Sequence, residues 1–141
     1  LYGTETGNSE LLAMDAEKVA ESLDFEPTVN GMDEITLSDM QSYSNLLIVC
    51  STWGDGEQPD NALDLYEEVE GSSDDSLSGV NFAVLALGDT AFDLFCEAGI
   101  QWDEMLENKG GVRINERIDC DVDYEDEAED WIDETLEKFN G

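Results

Sequence analysis

Two uninterrupted apolar runs constrain this chain more than any other feature of its sequence. Residues 46–50 read L-L-I-V-C, and residues 82–87 read F-A-V-L-A-L. Runs of this length without polar alternation are typical of strands buried on both faces of a parallel sheet. Parallel strands need a long crossover between them, usually a helix. The runs therefore predict an α/β fold with helices on both faces of the sheet.

The rest of the chain alternates between helical and strand patterns. Apolar residues recur at helical spacing in five segments: residues 9–24, 37–43, 61–70, 96–109 and 124–139. Shorter strands are expected at residues 1–2, 25–30 and 112–118, with Pro27 placing the second of these at a sheet edge. Because a central strand has about five residues, we expect that the first strand is truncated at the start of the sequence. The alternation predicts a doubly wound sheet of five strands.

Length and cysteine content narrow the class of protein. A chain of 141 residues with 40% hydrophobic residues is expected to form one domain, spanning residues 1–141, with a real core. No apolar run approaches the roughly 18 residues of a membrane span, and no leader pattern opens the sequence, so a soluble protein with no membrane partner is expected. Three widely spaced cysteines without any histidine give no support for disulfides or zinc. Buried thiols in a reducing cytoplasm are the expected state.

The charge of the chain is strongly one-sided. It has 37 acidic and 5 basic residues, a net charge of −32. Such a surface excludes nucleic acid as a partner. The acidic residues alternate with apolar stripes, unlike those of disordered acidic tails. Acid-rich, lysine-poor surfaces resemble those of proteins from a salt-loaded cytoplasm, so a halophilic protein is expected; an acidic face for a specific partner is the alternative.

The first nine residues, L-Y-G-T-E-T-G-N-S, form the first candidate site. They follow the pattern of a strand end, a tight turn rich in hydroxyls and a helix start. Backbone N–H groups and the helix dipole would hold an anion there without any cation. The alternative is an ordinary turn with Thr6 or Asn8 as the N-cap. The phosphate loop ending in Gly-Lys-Ser/Thr and the dinucleotide motif G-x-G-x-x-G are both absent.

Two further loops follow the apolar runs, and each contains an aromatic residue. Residues 51–60 read S-T-W-G-D-G-E-Q-P-D, with Trp53, and residues 88–93 read G-D-T-A-F-D, with Phe92. In a doubly wound sheet the loops after the first, third and fourth strands meet at the carboxyl ends of the strands, where the winding reverses. A phosphate seat beside two aromatic faces suits a phosphorylated planar heterocycle.

These motifs carry a family resemblance. The segments T-E-T-G-N, S-T-W-G-D-G, L-G-D-T-A-F-D-L-F-C and R-I-D-C-D-V-D-Y resemble the flavodoxin family, especially the FMN domains of sulfite reductase and cytochrome P450 reductase flavoproteins. The resemblance implies the flavodoxin-like strand order 2-1-3-4-5 and FMN as the cofactor. It covers nearly the whole chain, with four motifs in the expected order.

The resemblance also implies which residues bind FMN. The phosphate would be held by Thr4, Glu5, Thr6, Gly7 and Asn8. The ring would be bordered by Ser51, Thr52, Trp53, Gly54, Asp55 and Gly56, with Trp53 stacked on one face. The other side would be lined by Leu87, Gly88, Asp89, Phe92, Phe95 and Cys96. Phe92 replaces the usual Tyr, and Leu94 stands where an aromatic residue or His is common. No catalytic residue and no metal site are expected.

The expected function is transfer of single electrons between a reductase and an acceptor redox protein by a monomeric FMN carrier. One alternative is the FMN module of a larger NADPH-dependent reductase. Another is a small flavin enzyme with its own substrate, although the site offers no His, no cysteine pair and no lysine for proton relay or covalent chemistry. A phosphoacceptor receiver domain shares the architecture. It would need an acidic pair after the first strand and a lysine after the last, where this chain has residues 3–5 (G-T-E) and 119–121 (D-C-D).

Overall fold

The fold is seen in a computed structural model that describes residues 1–4, 7–52, 56–89, 94–121 and 123–140. Helices and strands alternate along most of the chain, as the sequence predicts. In chain order the elements are β1 (Tyr2–Gly3), α1 (Asn8–Ser22), a 3₁₀ turn (Met32–Glu34), α2 (Leu37–Ser42), β2 (Asn45–Ser51), α3 (Asp60–Glu70), β3 (Asn81–Leu87), α4 (Glu97–Asn108), β4 (Val112–Arg113), β5 (Ile118–Cys120) and α5 (Glu125–Asn140).

The two apolar runs form the centre of a parallel sheet, as predicted. β2 and β3 pair along their whole length, from Asn45 opposite Asn81 to Ser51 opposite Leu87. β1 pairs with β2, and both β4 and β5 pair with β3. All of these pairings are parallel, so the carboxyl ends of the strands share one edge of the sheet.

The predicted strand at residues 25–30 is wrong, because these residues form no strand. Only a single parallel bridge joins Gly31 to Tyr2, with the Tyr2 N–H donating to the Asn30 carbonyl at 3.1 Å. Pro27 has no N–H for a ladder, and the Gly31 N–H instead donates to the Glu34 carboxylate at 2.8 Å. The segment still runs along the edge of β1 that faces away from β2, the position that the predicted order gives to the second strand.

The predicted strand at residues 112–118 is also wrong as a single strand, because the chain leaves the sheet between β4 and β5. Two hydrogen bonds to α5 hold this connection away from β3. Asn115 Nδ2 donates to Thr135 Oγ1 at 2.8 Å, and Trp131 Nε1 donates to the Glu116 carbonyl at 2.9 Å. The last sheet position is therefore filled by two short strands beside opposite ends of β3.

The sheet has helices on both faces, which confirms the predicted fold class. On one face α1 and α5 pack against apolar residues such as Val49 and Leu85. On the other face α3 and α4 cover residues such as Ile48 and Val84. All three cysteines are buried with free thiols. Within the described ranges, no helix is both long and apolar enough to cross a membrane, and no group of side chains has the composition of a metal site.

Candidate functional site

The turn after β1 leads directly into the N-terminus of α1. Gly7 has φ +92°, a left-handed conformation that costs glycine little, and its N–H donates to Thr4 Oγ1 at 2.8 Å. Gly7, rather than Asn8, is the N-cap of α1, and no described side chain caps the helix. The N–H groups of a first helical turn have no acceptor within the helix. They therefore remain available to an anion, together with the helix dipole.

Ser9 adds a hydroxyl group to this turn. Its side chain is fully buried, and among the described residues its Oγ is a buried polar atom without a hydrogen-bond partner. A buried hydroxyl without a partner costs free energy, so such groups are rare in folded proteins. Ser9 is thus a further candidate ligand for an anion. Ser9 lies in the predicted turn but is not among the predicted site residues; its place in the first helical turn is the signal that could have identified it.

Asn61, in the first turn of α3, fixes the start of the same turn. Its Oδ1 accepts the Thr4 N–H at 2.8 Å, and its Nδ2 donates to the Tyr2 carbonyl at 3.3 Å. The two bonds hold the last residues of β1 from the side of α3. No sequence pattern singles out Asn61, because its partners lie almost sixty residues earlier in the chain.

The loop after β2 begins beside this turn. Ser51 Oγ donates to the Gly3 carbonyl at 3.2 Å, which ties the ends of β2 and β1 together. The Thr52 N–H donates to the Leu87 carbonyl at 3.0 Å, and Thr52 Oγ1 accepts the Ala98 N–H at 3.0 Å. Thr52 therefore links this loop both to the end of β3 and to the first turn of α4.

The loop after β3 is held by a buried cysteine. Cys96 adopts a left-handed conformation with φ +57°, and its Sγ donates to the carbonyls of Ala86 and Cys120, each at 3.5 Å. Burial raises the pKa of the Cys96 thiol to about 12, so it is an inert thiol at neutral pH. Gly88 passes so close that a Cβ atom there would lie 2.7 Å from the Cys96 backbone nitrogen.

The loops after β2 and β3 also touch directly. Gly56 has φ +107°, and a Cβ atom there would lie 2.6 Å from Leu94 Cδ1. Leu94 remains 48% exposed, so an apolar side chain sits at the surface where the two loops meet. This contact, with those of Ser51 and Thr52, brings the three predicted loops together at the carboxyl edge of the sheet.

The predicted site residues differ in how the structure places them. Thr4, Ser51, Thr52, Asp89 and Phe95 are half-buried, whereas Cys96 is fully buried and Leu87 is 5% exposed. For all of them, contact with a ligand stays a prediction. The remaining predicted contacts lie outside the described residues: Glu5, Thr6, Trp53, Gly54, Asp55 and Phe92.

The basic residues of the chain serve other parts of the fold. Arg113 and Arg117 both bind Asp103, Lys109 donates to the carbonyls of Glu70 and Ser72, and Lys138 pairs with Glu134. Lys18 is exposed on α1, more than two turns beyond Gly7. The predicted binding segments, residues 4–8, 51–56 and 87–96, contain no Lys or Arg. Any anion bound there would rely on N–H and hydroxyl groups.

An apolar cavity of about 260 Å³ lies elsewhere, among the amino ends of the strands. Leu1, Leu46, Phe25 and Phe139 are among its lining residues. None of the predicted site residues that the structure describes lines this cavity, so it is separate from the described parts of the three loops.

A family model described as Flavodoxin matches residues 1–133. The sulfite reductase (NADPH) flavoprotein alpha-component of Bacillus subtilis strain 168 is 43% identical over 140 residues, which cover 99% of this chain and 23% of that protein. The same component of Vibrio parahaemolyticus is 37% identical over 98% of this chain and 22% of its own length. The chain therefore spans less than a quarter of these curated relatives.

Among solved structures, oxidised Flavodoxin 2 from Bacillus cereus superposes with a TM-score of 0.85 at 29% sequence identity. The match covers 98% of this chain and 93% of that one. The chain is thus similar in extent to a complete flavodoxin and to one section of a longer flavoprotein.

Proposed function

The chain belongs to the flavodoxin family, and from this premise we propose that its three loops bind one FMN and present it to redox partner proteins. The observation that carries the proposal is the buried hydroxyl of Ser9, which has no partner among the described residues and lies at the uncapped start of α1. A phosphate group is the kind of acceptor that this hydroxyl and the N–H groups of the first helical turn lack among the described residues.

The residues fit an FMN phosphate without a positive side chain. Thr4 and Ser9 would hold it through hydroxyl groups, and Asn8 and Ser9 through N–H groups at the helix N-terminus, together with Glu5 and Thr6. Gly7, whose N–H donates to Thr4 Oγ1, would give the turn its shape around the phosphate. Thr52 and Gly56 would border the ring, and the loop at residues 88–96 would close its other side. FMN, when bound, supplies a flavin that takes up and releases electrons singly. The residues of the chain orient it and limit its contact with water.

Two forms of this electron-transfer function are open. We favour an FMN module of a larger NADPH-dependent flavoprotein, because the identity of 43% is to a section of the flavoprotein component of an NADPH-dependent sulfite reductase. The second candidate is a free carrier between a reductase and an acceptor, which is favoured by the near-complete overlap with a flavodoxin chain. An independent substrate for the flavin has no structural support among the described residues.

We further propose that the chain is monomeric and cytoplasmic. Repulsion between copies with a net charge of −32 opposes self-association. The large exposed apolar side chains among the described residues are few: Leu11, Met14, Leu63, Leu94 and Val112. Three buried free thiols suit a reducing compartment.

Titration of the purified chain with FMN tests the proposal directly. We expect saturation at one FMN per chain, with a changed visible flavin spectrum and quenched tryptophan fluorescence. An unchanged spectrum and fluorescence at excess FMN would contradict it.

An immunoblot of source cells separates a free carrier from a module of a larger protein. A free carrier gives a band near 15.6 kDa, and a module gives a band several times heavier.

A further inference from the structure

Gln58 is a buried polar residue in the loop after β2, two residues beyond Gly56. Its side-chain amide has all four of its hydrogen-bonding positions filled. Nε2 donates to the Ala98 carbonyl and to Gln101 Oε1, each at 3.0 Å. Oε1 accepts from Trp102 Nε1 at 3.0 Å and from Cys50 Sγ at 3.6 Å. A fully satisfied buried amide of this kind fixes one arrangement of the elements that it joins.

Three of these four partners belong to α4. Trp102 is fully buried in the core, and its ring packs edge-on against Tyr66 of α3, with ring centroids 5.3 Å apart. The indole therefore has a fixed position, and its N–H fixes the position of the Gln58 amide. The loop after β2 is thus attached to a rigid part of the core at a point close to the predicted ring-binding residues.

The same loop has a second attachment to the same helix. Thr52 Oγ1 accepts the Ala98 N–H, and Gln58 Nε2 donates to the Ala98 carbonyl. One residue of α4 thus anchors the loop before and after residues 53–57. Cys96, which ends the loop after β3, is the N-cap residue of the same helix. Residues 52 and 58 therefore fix one ligand loop in position relative to the other.

From this geometry we propose that Gln58 is a positioning residue for the flavin. Through Ala98 and Trp102 it holds the loop after β2 at the spacing from the loop after β3 that the FMN ring requires. The inference rests on the proposed function, because it concerns how well an FMN site is preorganised. It assigns Gln58 no contact with the cofactor.

Loss of the hydrogen bonds between Gln58 and α4 has two consequences for bound FMN, one for its affinity and one for its reduction potentials. A loop that must be ordered during binding lowers affinity, because the conformational entropy is then lost in the binding step. The reduction potentials of bound FMN differ from those of free FMN only as far as the protein binds the oxidised and reduced forms unequally. A loosened loop binds the oxidised and reduced forms with more nearly equal affinity, so both one-electron potentials move toward those of free FMN.

The first test compares Gln58→Met with Thr135→Val. Both remove buried side-chain hydrogen bonds, four at Gln58 and one at Thr135, which lies in α5 on the opposite face of the sheet. We expect both to lower thermal stability, Gln58→Met by more. Only Gln58→Met should raise the Kd for FMN, by about tenfold or more, and shift both potentials toward those of free FMN. Equal Kd values and unchanged potentials in the two variants would overturn the proposal.

The second test uses the wild-type chain and does not depend on a folded variant. Linkage requires that FMN binding strengthens any contact that strengthens FMN binding. Hydrogen exchange of the Trp102 Nε1–H should therefore slow severalfold when FMN is added, relative to the Trp131 Nε1–H on the other face. Equal effects on the two indoles would contradict the inference. Failure of the wild-type chain to bind FMN would instead contradict the proposed function.

Discussion

Two regions of the chain differ in how a negative charge is compensated: the cluster of Asp103, Arg113 and Arg117 and the turn before α1. Asp103 is nearly buried, with a side chain 6% exposed, and it accepts hydrogen bonds from Arg113 Nε and Nη2 and from Arg117 Nη1 at 2.9 to 3.1 Å. The turn before α1 has only hydroxyl and N–H groups among its described residues. The fold thus places two of its five basic residues on one structural carboxylate and none at the proposed phosphate seat.

The difference shows which kind of anion each region suits. A buried carboxylate that joins α4 to β4 and β5 needs full charge compensation in the unliganded chain. A phosphate that binds and leaves can be held by dipoles, because the N–H groups of the empty turn are hydrated when it leaves.

The uncompensated acidic surface should make stability depend strongly on salt. A net charge of −32 on 7143 Å² of surface places neighbouring charges about 15 Å apart. The Debye length is about 10 Å at 0.1 M salt and about 3 Å at 1 M. Summed over roughly a hundred neighbouring pairs, the screened repulsion at 0.1 M is on the order of 5 kcal/mol, and it nearly vanishes at 1 M.

We therefore expect the melting temperature and the FMN affinity to rise together between 0.1 and 2 M KCl, as proposed for a protein from a salty cytoplasm. Calorimetry and FMN titration across that range measure both. Equal stability and equal flavin saturation at all salt concentrations would favour the alternative, in which the acidic residues serve the docking of a basic redox partner.

Substitution of Asp103 should have the next largest effect. Asp103→Asn removes the buried carboxylate that two partly buried guanidinium groups share and leaves each with one more exposed partner, Glu107 or Asp119, which should lower the free energy of unfolding by about 2 to 3 kcal/mol. Glu134→Gln removes the exposed ion pair with Lys138 and should change it by less than about 0.5 kcal/mol. Urea denaturation of the two variants gives the comparison. A loss in Asp103→Asn no larger than in Glu134→Gln would mean that the cluster is not needed for stability.

The buried thiols should make stability fall at alkaline pH. Burial raises the pKa values of Cys96 and Cys120 to about 12, so the thiols of the unfolded chain ionise first and stability falls as pH increases above about 8. Urea denaturation at pH 7 and pH 10 measures the loss. Equal free energies of unfolding at the two pH values would contradict the prediction.

Much of the fold was predictable because it depends on local patterns. The two apolar runs predict β2 and β3 within one residue at each end, and the helical stripes predict all five α-helices within two. The failures are the two outer strands. Residues 25–30 contain Pro27, which cannot donate to a ladder, and the last strand is interrupted by hydrogen bonds that join Asn115 and Glu116 to α5, which no local pattern reveals.

The site was predictable only where a motif lies in one stretch of chain. The turn at Gly7 and the glycines of the loops follow from short patterns. Asn61 and Gln58 do not, because their roles depend on contacts with residues about forty to sixty positions away. Ser9 lies inside the predicted stretch, but the burial of its hydroxyl follows from the packing of α1 against the sheet. Polar residues that hold loops in place are visible only in three dimensions.

Ser9→Ala should have the smallest effect, and it separates the two charge regions most sharply. Removing a buried hydroxyl without a partner among the described residues should leave the free energy of unfolding of the FMN-free chain unchanged or raise it by about 1 kcal/mol. If the hydroxyl binds the phosphate, the same substitution should weaken FMN binding by about tenfold, or about 1.4 kcal/mol. Asp103→Asn should do the reverse, with a large loss of stability and little change in the Kd of the folded chain.

Ser22→Ala, which removes an exposed hydroxyl from the last turn of the same helix, is the matched control. A stability loss in Ser9→Ala without any change in FMN affinity would show that the hydroxyl supports the fold, and would remove it from the proposed phosphate seat.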